Sequence, residues 1–166
     1  MTKKIKTITV TNDIIEKLNE AIKISLEFEE LTQKQMNITS IVGEVLTCKK
    51  HNLELVIDDI NAGFDALDKE GKRVQIKTRR FKGVNTAMTG TLLDKNYTVP
   101  FDYAILVLLN EKYEFIDDYF ISSDSIIGHF ERINNNRLNI GKPKRKNMSI
   151  SQFKALANGQ KRMASS

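Results

Sequence analysis

Apolar and polar positions change period several times along the chain, and each change marks an element. From Ile14 the apolar residues Leu18, Ile22 and Leu26 recur at helical spacing, with Ile15 and Phe28 beside the stripe. Thr11, Asn12 and Asp13 stand before it as N-caps, which predicts a helix over about 12–33. That helix packs on the domain or offers a contact to a second copy. Residues 1–10 read as an extended arm with three lysines. Asn37–Ser40 is a second capping cluster, and a helix follows to about His51 with Ile41, Val45 and Cys48 on one face. Glu44 falls on or beside that face. A carboxylate there is costly unless it meets a lysine, such as Lys49 or Lys77, or a cation.

Glu54–Ile57 reads as a short strand. Gly63–Arg80 reads as a β-hairpin, with arms Gly63–Leu67 and Arg73–Arg80 about a Lys69-Glu70-Gly71-Lys72 turn. The second arm alternates. Val74, Ile76 and Thr78 point one way, and Arg73, Gln75, Lys77 and Arg79 point the other. Phe81–Phe101 is a long connection whose middle is a candidate helix. Its threonines and Asn85 suit phosphate contacts, and equally suit an ordinary loop. Tyr103–Leu109 is apolar throughout, the mark of a strand buried on both faces. A turn at Asn110–Lys112 leads to a strand over Tyr113–Ile121, then Ser122, Ser123 and Asp124 cap a helix to about Arg132. Arg137–Lys146 carries five cations and reads as a mobile loop. A short helix with Ile150, Phe153 and Leu156 follows, and 158–166 read as a disordered tail. The expected division is an arm and helix over 1–35, a core over 36–133, and a basic loop, helix and tail over 134–166.

Composition narrows the classes. The 166 residues are 40% hydrophobic and 28% charged, enough for one packed core in a soluble chain. No apolar run approaches the ~20 residues of a membrane helix. The basic start has no apolar stretch behind it, so a secretory signal is not expected. Cys48 is the single cysteine, which excludes an internal disulfide and a cysteine-rich zinc site and suits a reducing cytoplasm. The net charge of +5 favours an anionic partner.

Most catalytic schemes lack their residues. There is no Gly-x-Ser-x-Gly, Walker loop or Gly-x-Gly-x-x-Gly, and His51 and His129 sit in no motif. What remains is Glu44 on a helix, Asp65 on one hairpin arm, and Gln75-x-Lys77 on the other. Such oxygen donors suit a hard divalent cation, and a lysine beside one can hold an attacking water and offset charge on a phosphoryl group.

Gly-Phe-Asp-Ala, followed by Gly-Lys-Arg-Val-Gln-Ile-Lys-Thr-Arg, resembles the active-site hairpin of the PD-(D/E)XK, or restriction-endonuclease-like, nucleases. Val42-Gly43-Glu44 resembles the helix that supplies an additional acid in many of them. The resemblance covers about Thr39–Ile127. It implies an α/β fold with an αβββαβ core, a mixed central sheet flanked by helices, and here an extra N-terminal helix. It also implies Mg2+- or Mn2+-dependent hydrolysis of nucleic-acid phosphodiesters, DNA before RNA. Asp65 would then be the principal metal ligand, Gln75 would stand in the place of the second acid, Lys77 would be the motif lysine and Glu44 the accessory acid. Gln75 departs from the usual Asp or Glu, because its amide brings no charge. Arg73, Arg79, Arg80 and Lys82 would contact the nucleic acid, with a second patch at Arg137–Lys146. Cleavage of both strands would call for a homodimer. The alternative is a nuclease-like domain that binds nucleic acid or a protein partner without cutting.

Overall fold

A computed structural model describes residues 4–58, 63–81, 88–94, 96–136, 141 and 143–164, the last four by backbone alone. The fold is α/β, a mixed six-stranded sheet flanked by four helices. The elements are β1 (Thr7–Thr9), α1 (Asn12–Thr32), α2 (Thr39–His51), β2 (Glu54–Val56), β3 (Ala66–Leu67), β4 (Arg73–Arg80), β5 (Tyr103–Leu109), β6 (Phe115–Ser122), α3 (Ser123–Asn134) and α4 (Ile150–Ala164). The strands lie in chain order across the sheet. Every neighbouring pair is antiparallel except β4 and β5, which run parallel and therefore need a crossover. The described residues of that crossover carry no helix. Those at 82–87 and 95 lie outside the description.

β5 is the spine because each of its faces is buried in a different core. Ile105, Val107 and Leu109 join Val74 and Ile76 under α2, with Val42, Val45 and Cys48. Ala104, Leu106 and Leu108 join Ile126, Phe130, Phe153 and Ala157 of α3 and α4 on the other side. An unbroken apolar strand is what two such faces require.

Four features differ from the sequence expectation. The N-terminal arm forms β1, pairing Thr7–Thr9 with Glu54–Val56. The start of α2 has Ile38 at the cap position and no side-chain cap bond, and Ile41 is 46% exposed while Val42 is fully buried. Val45 and Cys48 are buried as expected, and the buried face takes in Val42 in place of Ile41, where Gly43 lets the helix press onto the sheet. The basic loop is pinned where it is described: Asn134 donates to the Arg145 carbonyl and accepts from its N–H. Finally, α4 runs to Ala164 where a short helix and loose tail are expected. Gln160, in the expected tail, donates to the Ser122 and Ser125 hydroxyls at 2.7 and 3.1 Å, so a tertiary contact holds the helix past where the local pattern ends. Among the described residues no helix is long and apolar enough to cross a membrane.

Candidate active-site cleft

The hairpin turn is built by Asp68. Its carboxylate accepts the N–H groups of Glu70 and Lys72 at 2.9 Å each. Gly71 takes the positive φ of 77° that closes the loop. The register pairs Ala66 with Val74, so the residue before Ala66 falls beside Gln75. That residue is Asp65. It points to the same side as Gln75 and Lys77, the side lined by Ala104 and Leu106 on β5.

β3 is only two residues long, and this shortness makes the site. A longer strand would supply a backbone acceptor to the Ile76 N–H. Here the Asp65 side chain takes that place, accepting the Ile76 N–H through Oδ2 at 2.7 Å. The same oxygen accepts the Gln75 side-chain amide. Asp65, Gln75 and Lys77 then line an open cleft of about 700 Å3, walled by Leu92, Leu93, Pro100 and Phe101.

α2 brings Glu44 within the electrostatic reach of Asp65 and Lys77, though not into the lining of the cleft. A Cβ on Gly43 would stand 1.8 Å from Thr78 Oγ1, so only glycine admits this approach of helix to strand. Burial, then the charge of Asp65, push the Glu44 carboxyl up to about 7, with Lys77 opposing. Burial also raises Asp65, against the Ile76 N–H and the Lys77 charge. Lys77 is lowered, first by burial, although Asp65 and Glu44 both favour its cationic form. The three groups therefore lie within one another's fields. Lys49 reaches the Val10 carbonyl at 3.4 Å, so the alternative Lys49 partner for Glu44 is committed elsewhere. Cys48, one turn beyond Glu44, is buried, and its thiol is pushed up to about 12. It stays a thiol and serves packing.

The donor set fits a hard cation in kind. It offers two carboxylates that burial raises above the usual carboxylate range, with Lys77 opposing, and an amide carbonyl beside them. It is lean in charge, since no group of three or more His, Cys, Asp or Glu gathers anywhere among the described residues.

The cationic positions separate. Arg73 is a two-pronged partner of Asp102, with contacts at 3.3 and 3.2 Å. Arg79 shares the cleft's side of β4 but donates to the carbonyls of Met88 (2.5 Å) and Thr78 (2.7 Å), fastening the loop that walls the cleft. Arg80 points to the opposite face. Its side chain is 4% exposed and pairs with Glu29 at 2.8 Å. Lys82, Arg137 and Lys142 lie outside the described residues. Lys144 and Lys146 stand beside the Tyr97 ring.

Sequence reasoning named Thr91 as a loop candidate but missed the rest of the far wall. Thr91–Asp94 and Pro100-Phe101 come to the cleft from the crossover. Their one sequence signal is Asp94 followed by Asn96 and Thr98, a side-chain-closed turn. His51, assigned to no motif, meets Asp118 at 2.5 Å away from this cleft. Compared with family models and with curated proteins, the chain matches none.

Proposed function

We propose that the protein is a divalent-metal-dependent nuclease that hydrolyses phosphodiester bonds, with DNA as the first substrate. The observation that carries this reading is the gathering of Asp65, Gln75 and Lys77 about one open cleft, with Glu44 within the electrostatic reach of Asp65 and Lys77. Asp65 and Glu44 would hold the ion, with the Gln75 carbonyl as a neutral third donor. A cation bound there would stabilise charge on the scissile phosphoryl group. Lys77 is the residue to hold the attacking water, since its lowered pKa eases exchange of a proton. Asp65, fixed by the Ile76 N–H, keeps its carboxylate aimed into the cleft. Cleavage of both strands needs two copies. The exposed Ile24, Phe28 and Leu31 of α1 are where a second copy would pack.

A second reading has its own support. The Gln75 amide donates to Asp65, satisfying that acid without an ion, and the site has one acid fewer than a fully charged one. A nuclease-like domain that binds without cutting would look this way. One experiment separates the two. Supercoiled plasmid and RNA are incubated with Mg2+, Mn2+ or EDTA and with wild type, Asp65→Ala or Lys77→Ala. The nuclease reading expects metal-dependent nicking that falls by about 100-fold or more in each variant. Nicking untouched by both substitutions removes it. Salt-sensitive binding with no cutting establishes the second reading instead.

A further inference from the structure

Tyr97 is an aromatic side chain held where a tyrosine is rarely found. Its φ is 61°, the left-handed region, and it is 42% exposed. The strain is overdetermined by Asp94. Oδ1 of Asp94 accepts the N–H groups of Asn96 and Thr98 at 2.8 and 2.9 Å, and Oδ2 accepts the Thr98 hydroxyl at 2.6 Å. The Tyr97 N–H closes onto the Asp94 carbonyl at 3.1 Å. Tyr113 closes the same kind of turn on Asn110 at φ 63° with its ring buried, so it is the exposure of the Tyr97 ring rather than the turn that invites a functional explanation.

Two cations attend the ring. The ammonium groups of Lys144 and Lys146 lie 5.4 and 4.6 Å from its centre. They arrive on a separate segment that is itself strapped down. The Lys146 carbonyl accepts the Leu92 and Leu93 N–H groups at 2.7 and 3.3 Å, and Asn134 clasps the Arg145 backbone. Exposed cation–π contacts are weak, so a phosphate can draw either lysine off the ring. Beside Tyr97 is a hollow of about 210 Å3, the scale of one nucleobase, with Ile127 and Phe130 as apolar wall and Glu131 and Asn135 as polar edge. Leu93 lines both this hollow and the cleft of Asp65 and Lys77.

We infer that Tyr97, Lys144 and Lys146 form a subsite for an unpaired nucleotide of a nucleic-acid strand whose neighbouring phosphate reaches the cleft. The base stacks on Tyr97 and presents its edge to the hollow, and the two lysines take flanking phosphates. The preferred substrate is then a single strand or a locally unpaired site rather than intact duplex. This rests on the nuclease reading for what happens in the cleft, but not for binding.

The test is equilibrium binding in EDTA, where no cutting occurs. It uses a single-stranded oligonucleotide carrying 2-aminopurine, with the matching duplex beside it. Wild type is expected to bind the single strand more tightly and to quench the probe. Tyr97→Ala should weaken single-strand binding by about ten-fold and abolish quenching, and Tyr97→Trp should keep both. Lys144→Ala/Lys146→Ala should lower the slope of log affinity against log salt by about 1.4. Thermal melting of each variant reports folding. Where Tyr97→Ala melts early, the Trp and lysine variants carry the test. Equal loss for duplex and single strand, an unchanged slope, or no quenching by wild type overturns the inference. A protein that meets every expectation and never cuts supports it while removing the nuclease reading. A protein that cuts duplex and is indifferent to Tyr97→Ala does the reverse.

Discussion

At the scale of single residues, Glu44 and Gln75 decide what the cleft costs and what it can hold. Glu44 has a folded-state pKa raised from 4.5 to about 7. Between those values the folded protein holds a proton that the unfolded chain releases. Stability therefore falls as pH rises through that window, in the sense opposite to a salt-bridged acid. The ceiling is about 3 kcal/mol, reduced by the solvent that reaches a half-buried group. Asp65 is raised as well and acts in the same direction. Melting temperatures taken in EDTA from pH 4.5 to 8 should fall, and Glu44→Gln should flatten the curve and leave the variant more stable than wild type at pH 8. A wild-type curve already flat would mean that Glu44 is neither desolvated nor crowded by Asp65. Gln75 supplies the N–H that Asp65 accepts, so Gln75→Glu places two carboxylates face to face. The metal-free variant should melt lower than wild type, and millimolar Mg2+ should raise its melting temperature by more than it raises wild type's. Equal shifts, or none, would remove the ion from this place.

At the scale of elements, the contact of α2 with β4 sets where Glu44 stands. It depends on a glycine facing Thr78. Gly43→Ala must push helix from strand, because the added carbon would also lie 2.5 Å from Thr78 Cγ2 and 2.6 Å from its Cβ. Urea unfolding should register a loss of roughly 1–3 kcal/mol, together with a smaller Mg2+-induced thermal shift, since Glu44 moves with the helix. A variant as stable as wild type would show that the helix has slack. The hairpin carrying Asp65 was legible in sequence because its signals are local: a glycine turn and a period of two. The length of β3 was not. Where a strand stops depends on whether its neighbour continues, and Asp65 ends the ladder by using its own side chain on Ile76. The burial of Val42 in place of Ile41 escaped for a similar reason. Ile41 and Val42 are equally apolar, and only the fit of Gly43 against β4 chooses between them.

At the scale of the molecule, α1 is locked to the sheet by charge as well as by apolar packing. Arg80 pairs with Glu29, donates to the Tyr113 hydroxyl at 3.1 Å and lies over the Tyr113 ring at 4.0 Å. Tyr113 in turn meets Ser25 at 3.3 Å. Arg80→Met should therefore cost about 3–5 kcal/mol in chemical denaturation, because it removes the cationic partner of a buried carboxylate and its bond to Tyr113. The salt dependence of nucleic-acid binding should not change. A lowered salt slope in a stable Arg80→Met protein would instead make this arginine a phosphate contact. The sequence placed Arg80 in a row of cations expected to contact nucleic acid, whereas the structure buries it against Glu29. The hidden part was its partner, which comes from a helix about fifty residues earlier in the chain.

What the sequence determined by itself was whatever is encoded within a few residues: α1 and its cap, the hairpin, the doubly buried β5, the turn at Asn110, and the common side of Gln75 and Lys77. Periodicity and turn chemistry act at that range and need no partner. The tertiary structure alone decided that Asp65 ends β3, that α2 carries Glu44 into the same field, that Arg79 and Arg80 have structural work on opposite faces, and that the crossover returns as the cleft's far wall. Those outcomes follow from packing and pairing between segments distant in sequence, where equally apolar or equally charged residues are told apart only by what they meet.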